Sequence, residues 1–383
     1  TVGDASMDDA LNNVGVGYAS LGALTQGDNN VAIGKNALLA LTTGGQNIAI
    51  GSNALTAANA AESWNIAIGY DAMVDLDHDN ATRNIAIGHY AMDDISSIQG
   101  ANVDNIFIGY EAGSGAWETA VSTQNIGIGN YVMDAAMNNA NYNTSIGHGS
   151  LGALTTGEYN TVLGRVAGAV ITNTDATTLI GYAAGDAINH ADALGTVAVG
   201  YAAASALTSG QGNTAIGYQA LDANQTSDYN TAIGYNALGA VNGDGSGGNV
   251  AVGHGAGATI SDGTFNVAIG PSALGSNDQS DKNIAIGYAA SYYLTGNTTG
   301  QCVSIGYESS FYNASGINNA YVGYRAGFGA TGESNSSNTG VGSQALLAIT
   351  SADGNTVVGA SAGDNITTGS GNIVIGYHVN LGA

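Results

Sequence analysis

Cysteine, proline and basic residues are nearly missing from this chain of 383 residues, which has one Cys, one Pro and 5 Lys+Arg against 29 Asp+Glu. The lone Cys302 has no partner within the chain, so no internal disulfide forms and the redox compartment is unreadable. One proline excludes collagen, which needs glycine at every third position and abundant proline. Five cations cannot neutralise a run of phosphates, so nucleic acid is excluded as a partner. The net charge of −24 also repels an anionic membrane surface. No apolar run reaches the length of about 18 residues that a spanning helix needs, so membrane insertion is not expected. The chain opens at Thr1 without a signal-like segment, which predicts a mature piece or a fragment. With 44% hydrophobic residues it is too apolar for disorder, and with 60 glycines it is unlike an ordinary domain.

What is present is one unit, repeated. NVAIGKNAL at 30–38, NIAIGSNAL at 47–55, NTAIGYQAL at 213–221 and NIAIGYAAS at 283–291 are the same phrase. Anchored on the glycine of the I-G pair, 21 units run from Gly17 to Gly376, and eleven of the 20 spacings are 17 residues. The others are 18 to 21 residues, and the longer connectors cluster between 51 and 147. No linker interrupts them, so residues 1–383 read as a single continuous repeat domain.

Each slot of the unit carries a physical statement. The residue before the glycine is Ile, Val or Leu in all 21 units, and three before it 20 of 21 are Val, Ile or Thr. These two positions share one side of an extended strand, and β-branched residues suit it. A spacing of 2 rather than 3.6, with glycine at this density, excludes a helical repeat. A short strand plus turns in about 17 residues is one coil of a parallel β-solenoid. Twenty steps of about 4.8 Å then predict a rod roughly 95 Å long. The fold class is all-β, with inward Ile/Val columns expected to form the core.

Two further columns follow from stacking. Four before the glycine, 18 of 21 units carry Asn, among them Asn30, Asn47, Asn65, Asn84, Asn105, Asn213, Asn230, Asn266 and Asn283. One coil apart, these amides can form a structural ladder, each donating to the next. Two before the glycine, 15 of 21 are Ala, Gly or Ser, such as Ala32, Ala49, Ala67, Ala86, Ala215, Ala232, Ala268 and Ala285. A thin coil buries little surface alone. A flat side of small residues lets another backbone approach, so this side is the expected trimer face. Six units carry Phe107, Val162, Leu179, Tyr321, Val357 or Val374 there, as axial knobs or local differences in packing.

The unit N-x-A-I-G-x-x-A resembles the head repeat of trimeric autotransporter adhesins, and its longer form with L-T-T-G (Leu41 to Gly44) is similar to the repetitive shafts of phage tail fibres. The resemblance covers all 21 units. It implies a left-handed β-roll assembled as a homotrimer, outside the cell on a virion or on a bacterial surface. The heptad stalk, membrane-anchor barrel and chaperone domain that accompany such repeats have no counterpart here.

Chemistry has few footholds. Of the six His, those at 89, 148 and 254 take the slot after the glycine that is Tyr in 11 of 21 units, and they lie in non-adjacent coils. Zinc-ligand spacing, a calcium nonapeptide, a phosphate loop and a nucleophile elbow are all missing, so no metal, cofactor or catalysis is expected. Non-specific divalent cations on the acidic surface are the one ionic partner anticipated. Recognition is expected on surface features. The long connectors hold both tryptophans, Trp64 and Trp117, beside acidic runs (Asp75, Asp77, Asp79; Asp93, Asp94), and aromatics precede the Asn column at Tyr142, Tyr159, Tyr229 and Phe265. The reading is a non-enzymatic trimeric fibre, first a phage tail fibre shaft involved in host-surface recognition. The alternatives are an adhesin head binding matrix protein or glycan, and a filament subunit joined end to end. A cell-surface glycan or protein receptor is the expected partner. An ice-binding solenoid, which needs a regular Thr array, is disfavoured with Thr in only 7 of 21 units three before the glycine.

Overall fold

The computed structural model describes residues 9–59, 61–76, 81–95, 102–117, 120–243, 247–277, 279–295, 300–332 and 334–380. The chain divides into two compact units, Thr1–Gly195 and Thr196–Ala383, built from the same coil. The first unit holds ten three-residue strands, from Val14–Val16 to Thr178–Ile180, and a 3-10 turn at Ala191–Ala193. The second holds eleven strands, from Val197–Val199 to Ile373–Ile375. Within each unit, consecutive strands pair in parallel and in strict register: Ala32 faces Ala49 and Ala215 faces Ala232. Both units are therefore parallel β-solenoids with one strand per coil, and the all-β solenoid expected from the repeat is present.

The repeat glycine is fixed by this stacking. Gly34 has φ of 143°, and a Cβ on it would lie 2.1 Å from the carbonyl oxygen of Gly51 in the next coil. Only glycine tolerates both the backbone angle and the contact.

The expected inside and outside of the strand are reversed. Ala32, Ala49, Ala67, Ala86, Ala215, Ala232, Ala268 and Ala285 are all buried inside their own coils, so they cannot form a trimer face. Their Ile and Val neighbours point outward, with Ile33 40% and Ile216 38% exposed. The reason is strand length. With a period of two, a three-residue strand has one side chain on one face and two on the other. The bore takes the single one, and the pair stays outside.

The core is completed from the turns. Three and four residues after the glycine, usually an Ala and often a Leu or Met point inward (Ala37 and Leu38, Ala72 and Met73), and seven after it a further aliphatic often does (Leu41, Leu76, Ile171). The fourth slot is left-handed, with φ of 51° at Leu38 and 49° at Met73. β-branched residues are outliers in that region. This explains why the slot never holds Val, Ile or Thr, while Ile is frequent three residues later.

In five coils the two walls exchange interior volume. Of the six units whose strand has a large middle residue, five carry glycine in the fourth slot: Phe107 with Gly113, Val162 with Gly168, Leu179 with Gly185, Tyr321 with Gly327, and Val357 with Gly363; Val374, in the last unit, stands with Asn380. A Cβ on Gly113 would lie 2.8 Å from the Phe107 ring, and one on Gly327 2.5 Å from the Tyr321 ring. These bulky residues are buried within their own coils, so they are not axial knobs but places where the packing differs. They fill the same enclosed space from the other wall.

The Asn column is a buried ladder. Asn30 Oδ1 accepts from both the backbone N–H (2.9 Å) and the Nδ2 (3.1 Å) of Asn47, whose Nδ2 also donates to the carbonyl of Glu62 (2.8 Å). The pattern recurs at Asn65, Asn84 and Asn105, and from Asn213 through Asn230 and Asn266 to Asn283. Each amide thus satisfies groups from two coils in a dry interior, where leaving them unpaired would cost about 1–3 kcal/mol. Cys302 takes the slot once. Its backbone N–H donates to Asn283 Oδ1 and its Sγ donates to the carbonyl of Gly316 (3.3 Å), but a thiol offers the next coil only a weak acceptor.

Candidate functional site: the exposed aromatic surfaces

With the amides sealed inside, recognition falls to outward slots. The first is the corner immediately before the Asn column, where the chain turns through positive φ (Trp64 61°, Tyr142 61°, Tyr159 59°, Tyr229 55°, Phe265 57°). That turn throws the side chain outward, and all five residues are exposed. Tyr142 and Tyr159 stack at 5.0 Å and 4°. Tyr229 and Phe265 instead lie against glycines of the preceding coils: a Cβ on Gly212 or Gly248 would come 2.9 Å from the respective ring. Arg83 and Asp104, in the same column, form a two-pronged ion pair (2.5 and 2.9 Å) that holds the Asp104 carboxyl below its usual range.

Trp117 is a correction. It was expected on the surface as a ligand-binding ring, but it is fully buried with its indole edge-on to Phe107 (5.7 Å, 70°). Its side chain turns inward, and a tryptophan becomes core. Of the two tryptophans only Trp64, 55% exposed, is available to a ligand.

The acidic surface is uneven. Asp93 is half-buried, and burial, reinforced by Asp94, Glu111 and Asp75, pushes its carboxyl up to about 6. Asp134, Asp186 and Asp222, in the same slot five after the glycine, are likewise raised chiefly by burial. Asp77, His78 and Asp79 lie outside the described residues. Among the described residues no group of three or more His, Cys, Asp or Glu is gathered to hold a metal ion. His148 and His254 end rows of rings, beside Tyr131 (5.5 Å) and Tyr235 (5.1 Å). A cleft lined by Ser227, Gly243 and Asp262 is about the size of one water molecule.

The second outward slot follows the repeat glycine. In the second unit Tyr201, Tyr218 and Tyr235 stack at 5.1 and 5.3 Å with planes within 7°, and Tyr288, Tyr307 and Tyr324 at 5.0 and 5.5 Å. In the first unit the row zigzags edge-on through Tyr70, Tyr90, Tyr110 and Tyr131.

A third surface was not anticipated. In three consecutive coils, the slots five and six after the glycine hold Tyr292 and Tyr293, Phe311 and Tyr312, and Phe328. Each slot stacks upon itself, Tyr292 on Phe311 on Phe328 at 5.5 Å and Tyr293 on Tyr312 at 5.4 Å. The two columns cross nearly at right angles, 90° between Phe311 and Tyr312. Arg325 lies 4.8 Å over the Phe328 ring, and its Nε donates to Glu308 Oε2 at 2.7 Å. The signal in the sequence was the alignment of ASYY (290–293), SSFY (309–312) and AGFG (326–329) at one offset from the glycine, which is visible only in the repeat frame.

No protein-family model matches the sequence, and no curated protein is significantly similar to it.

Proposed function

We propose that the chain is a non-enzymatic structural and adhesive fibre whose coils associate side by side as a homotrimer, in the manner of a phage tail fibre shaft that meets a host surface. The observation that carries this reading is the outer face of the sheet. Along each unit two columns of Ile, Val, Leu and Thr run one pair per coil, with Ala320 the one departure, and they stay half exposed. A soluble single chain rarely leaves so large an aliphatic strip in water. Its period is one coil. A partner that matches it over its whole length must have the same period, and another copy of this chain has it.

The trimer face therefore moves from the Ala columns to the Ile/Val columns. The small residues fill the bore, and the β-branched pairs are the surface to be covered. The net charge of −24 per chain stays outside this strip and keeps assembled particles apart. Exposed rings at Trp64, Tyr142, Tyr159, Tyr229 and Phe265 leave recognition surfaces free on the assembled particle.

Replacing Ile216→Glu together with Ile233→Glu tests this. Both side chains point outward, so each coil keeps its core while the strip gains charge. Light scattering is expected to show single-chain particles with unchanged far-ultraviolet circular dichroism. An assembled mass that ignores these charges means that the chains do not meet on this face.

A further inference from the structure

We propose that the crossed aromatic columns at Tyr293, Phe311 and Tyr312, with the Arg325–Glu308 pair, form a binding site for a neutral polysaccharide chain; this rests on the surface-recognition reading above. Sugar binding needs aromatic faces for the C–H side of a pyranose and polar groups at the ring edge for its hydroxyls. The geometry supplies both. Parallel rings in contact lie about 3.5 Å apart, so centroids 5.4–5.5 Å apart mean that each ring has slipped by roughly 4 Å across its neighbour. A slipped ring leaves part of its face uncovered. Among the described residues the parallel-stacked rows of Tyr201 to Tyr235 and Tyr288 to Tyr324 are one ring wide. Here two rows cross at 81–90°, so uncovered faces of both tilts adjoin and make a platform two rings wide.

Polar groups border this platform. Arg325 stands over Phe328 and donates its Nε–H to Glu308, and its guanidinium carries further N–H donors beside the rings. The phenol tips of Tyr293 and Tyr312 add groups that both donate and accept.

Three features select the ligand class. The ion pair satisfies its own charge and the chain is strongly acidic, so an anionic ligand is disfavoured. The rings repeat once per coil at 5.4–5.5 Å, whereas an extended peptide presents side chains on one face about every 6.8 Å and falls out of step. A pyranose is about as long as one coil step, so a linear sugar chain lying along the columns stays in step. Mixed apolar faces and polar tips also suit a sugar better than a lipid.

The test is affinity electrophoresis of the whole chain through gels holding soluble β-glucan, mannan or galactan, with polygalacturonate as the charged control. At least one neutral polymer is expected to retard the wild type, and Tyr293→Ala and Phe311→Ala to weaken the retardation about tenfold each. Val170→Ala, at an exposed position of the first unit outside every aromatic surface, is expected to leave it unchanged. Tyr293 is 39% exposed, so its removal spares the core even if Phe311→Ala disturbs the coil. Retardation by none of the neutral polymers, stronger retardation by polygalacturonate, or retardation that survives Tyr293→Ala would each overturn the site. Light scattering on the same samples reads assembly separately, so loss of this site and failure of the fibre reading are distinguishable.

Discussion

The coils at Gly217 and at Gly323 solve one packing problem in opposite ways. At Gly217 the strand contributes Ala215 and the turn Leu221; at Gly323 the strand contributes Tyr321 and the turn Gly327, and all four are buried. The large strand residue needs more than its own glycine. Gly340 leaves room in the next coil, and the phenol donates to Asn335 Oδ1 at 2.6 Å inside the bore. The comparison teaches that the bore is a fixed volume shared by two walls, and that either wall can fill it. Backbone contacts between coils, by contrast, are the same everywhere and admit no such exchange.

The strongest way to break the comparison is at what the two coils share. Gly217→Ala places a Cβ 2.4 Å from the carbonyl oxygen of Gly234 at φ of 138°, and is expected to cost more than about 3 kcal/mol in denaturant unfolding. A loss of a few tenths would mean that the coils are not in close contact there. Next comes the exchange itself. Phe107→Ala alone is expected to cost about 3–5 kcal/mol through the cavity it leaves. Adding Gly113→Leu is expected to recover about 2 kcal/mol of that, since the two side chains occupy one space. Strictly additive effects would show that they do not. A smaller effect is expected where the amide ladder is interrupted. Cys302→Asn restores an acceptor for the next coil and a second donor, and is expected to raise stability by about 1 kcal/mol.

The smallest effect concerns pH. Burial and neighbouring carboxylates raise Asp93 to about 6, so its contribution favours the fold below pH 4 and is lost as pH rises through 6. Asp93→Asn is therefore expected to raise the melting temperature slightly at pH 8 and to leave it unchanged at pH 4. A rise of equal size at both values would contradict the sign.

Much of this was legible in the repeat. The strand at Ile48–Ile50, its register on Ile66–Ile68 and the buried amide of Asn47 follow from spacing alone, because hydrogen bonding along the stack demands them. Which face of that strand is internal was not legible from alternation. Two unlike faces are apparent in N-I-A-I-G, and the usual rule sends Ile inward. The rule fails because a three-residue strand turns one side chain inward and two outward, so the Ile pair of N-I-A-I-G stays outside. The deciding signal lay across slots: large residues such as Leu179 occur with glycine at Gly185, which shows that the middle residue and the turn share one interior. Trp117 had no such signal, because nothing in the sequence marks its ring as the one that is buried. The ring platform at Phe311 escaped notice for a third reason, since its residues lie in turn segments and come together only when three coils are stacked.

The central claim is that the aliphatic outer face is covered by further copies of this chain. The native mass in solution, by light scattering at moderate salt, tests it most directly. The account predicts about three times 37.8 kDa. A particle of 37.8 kDa would leave the Ile/Val columns in water along both units and contradict it.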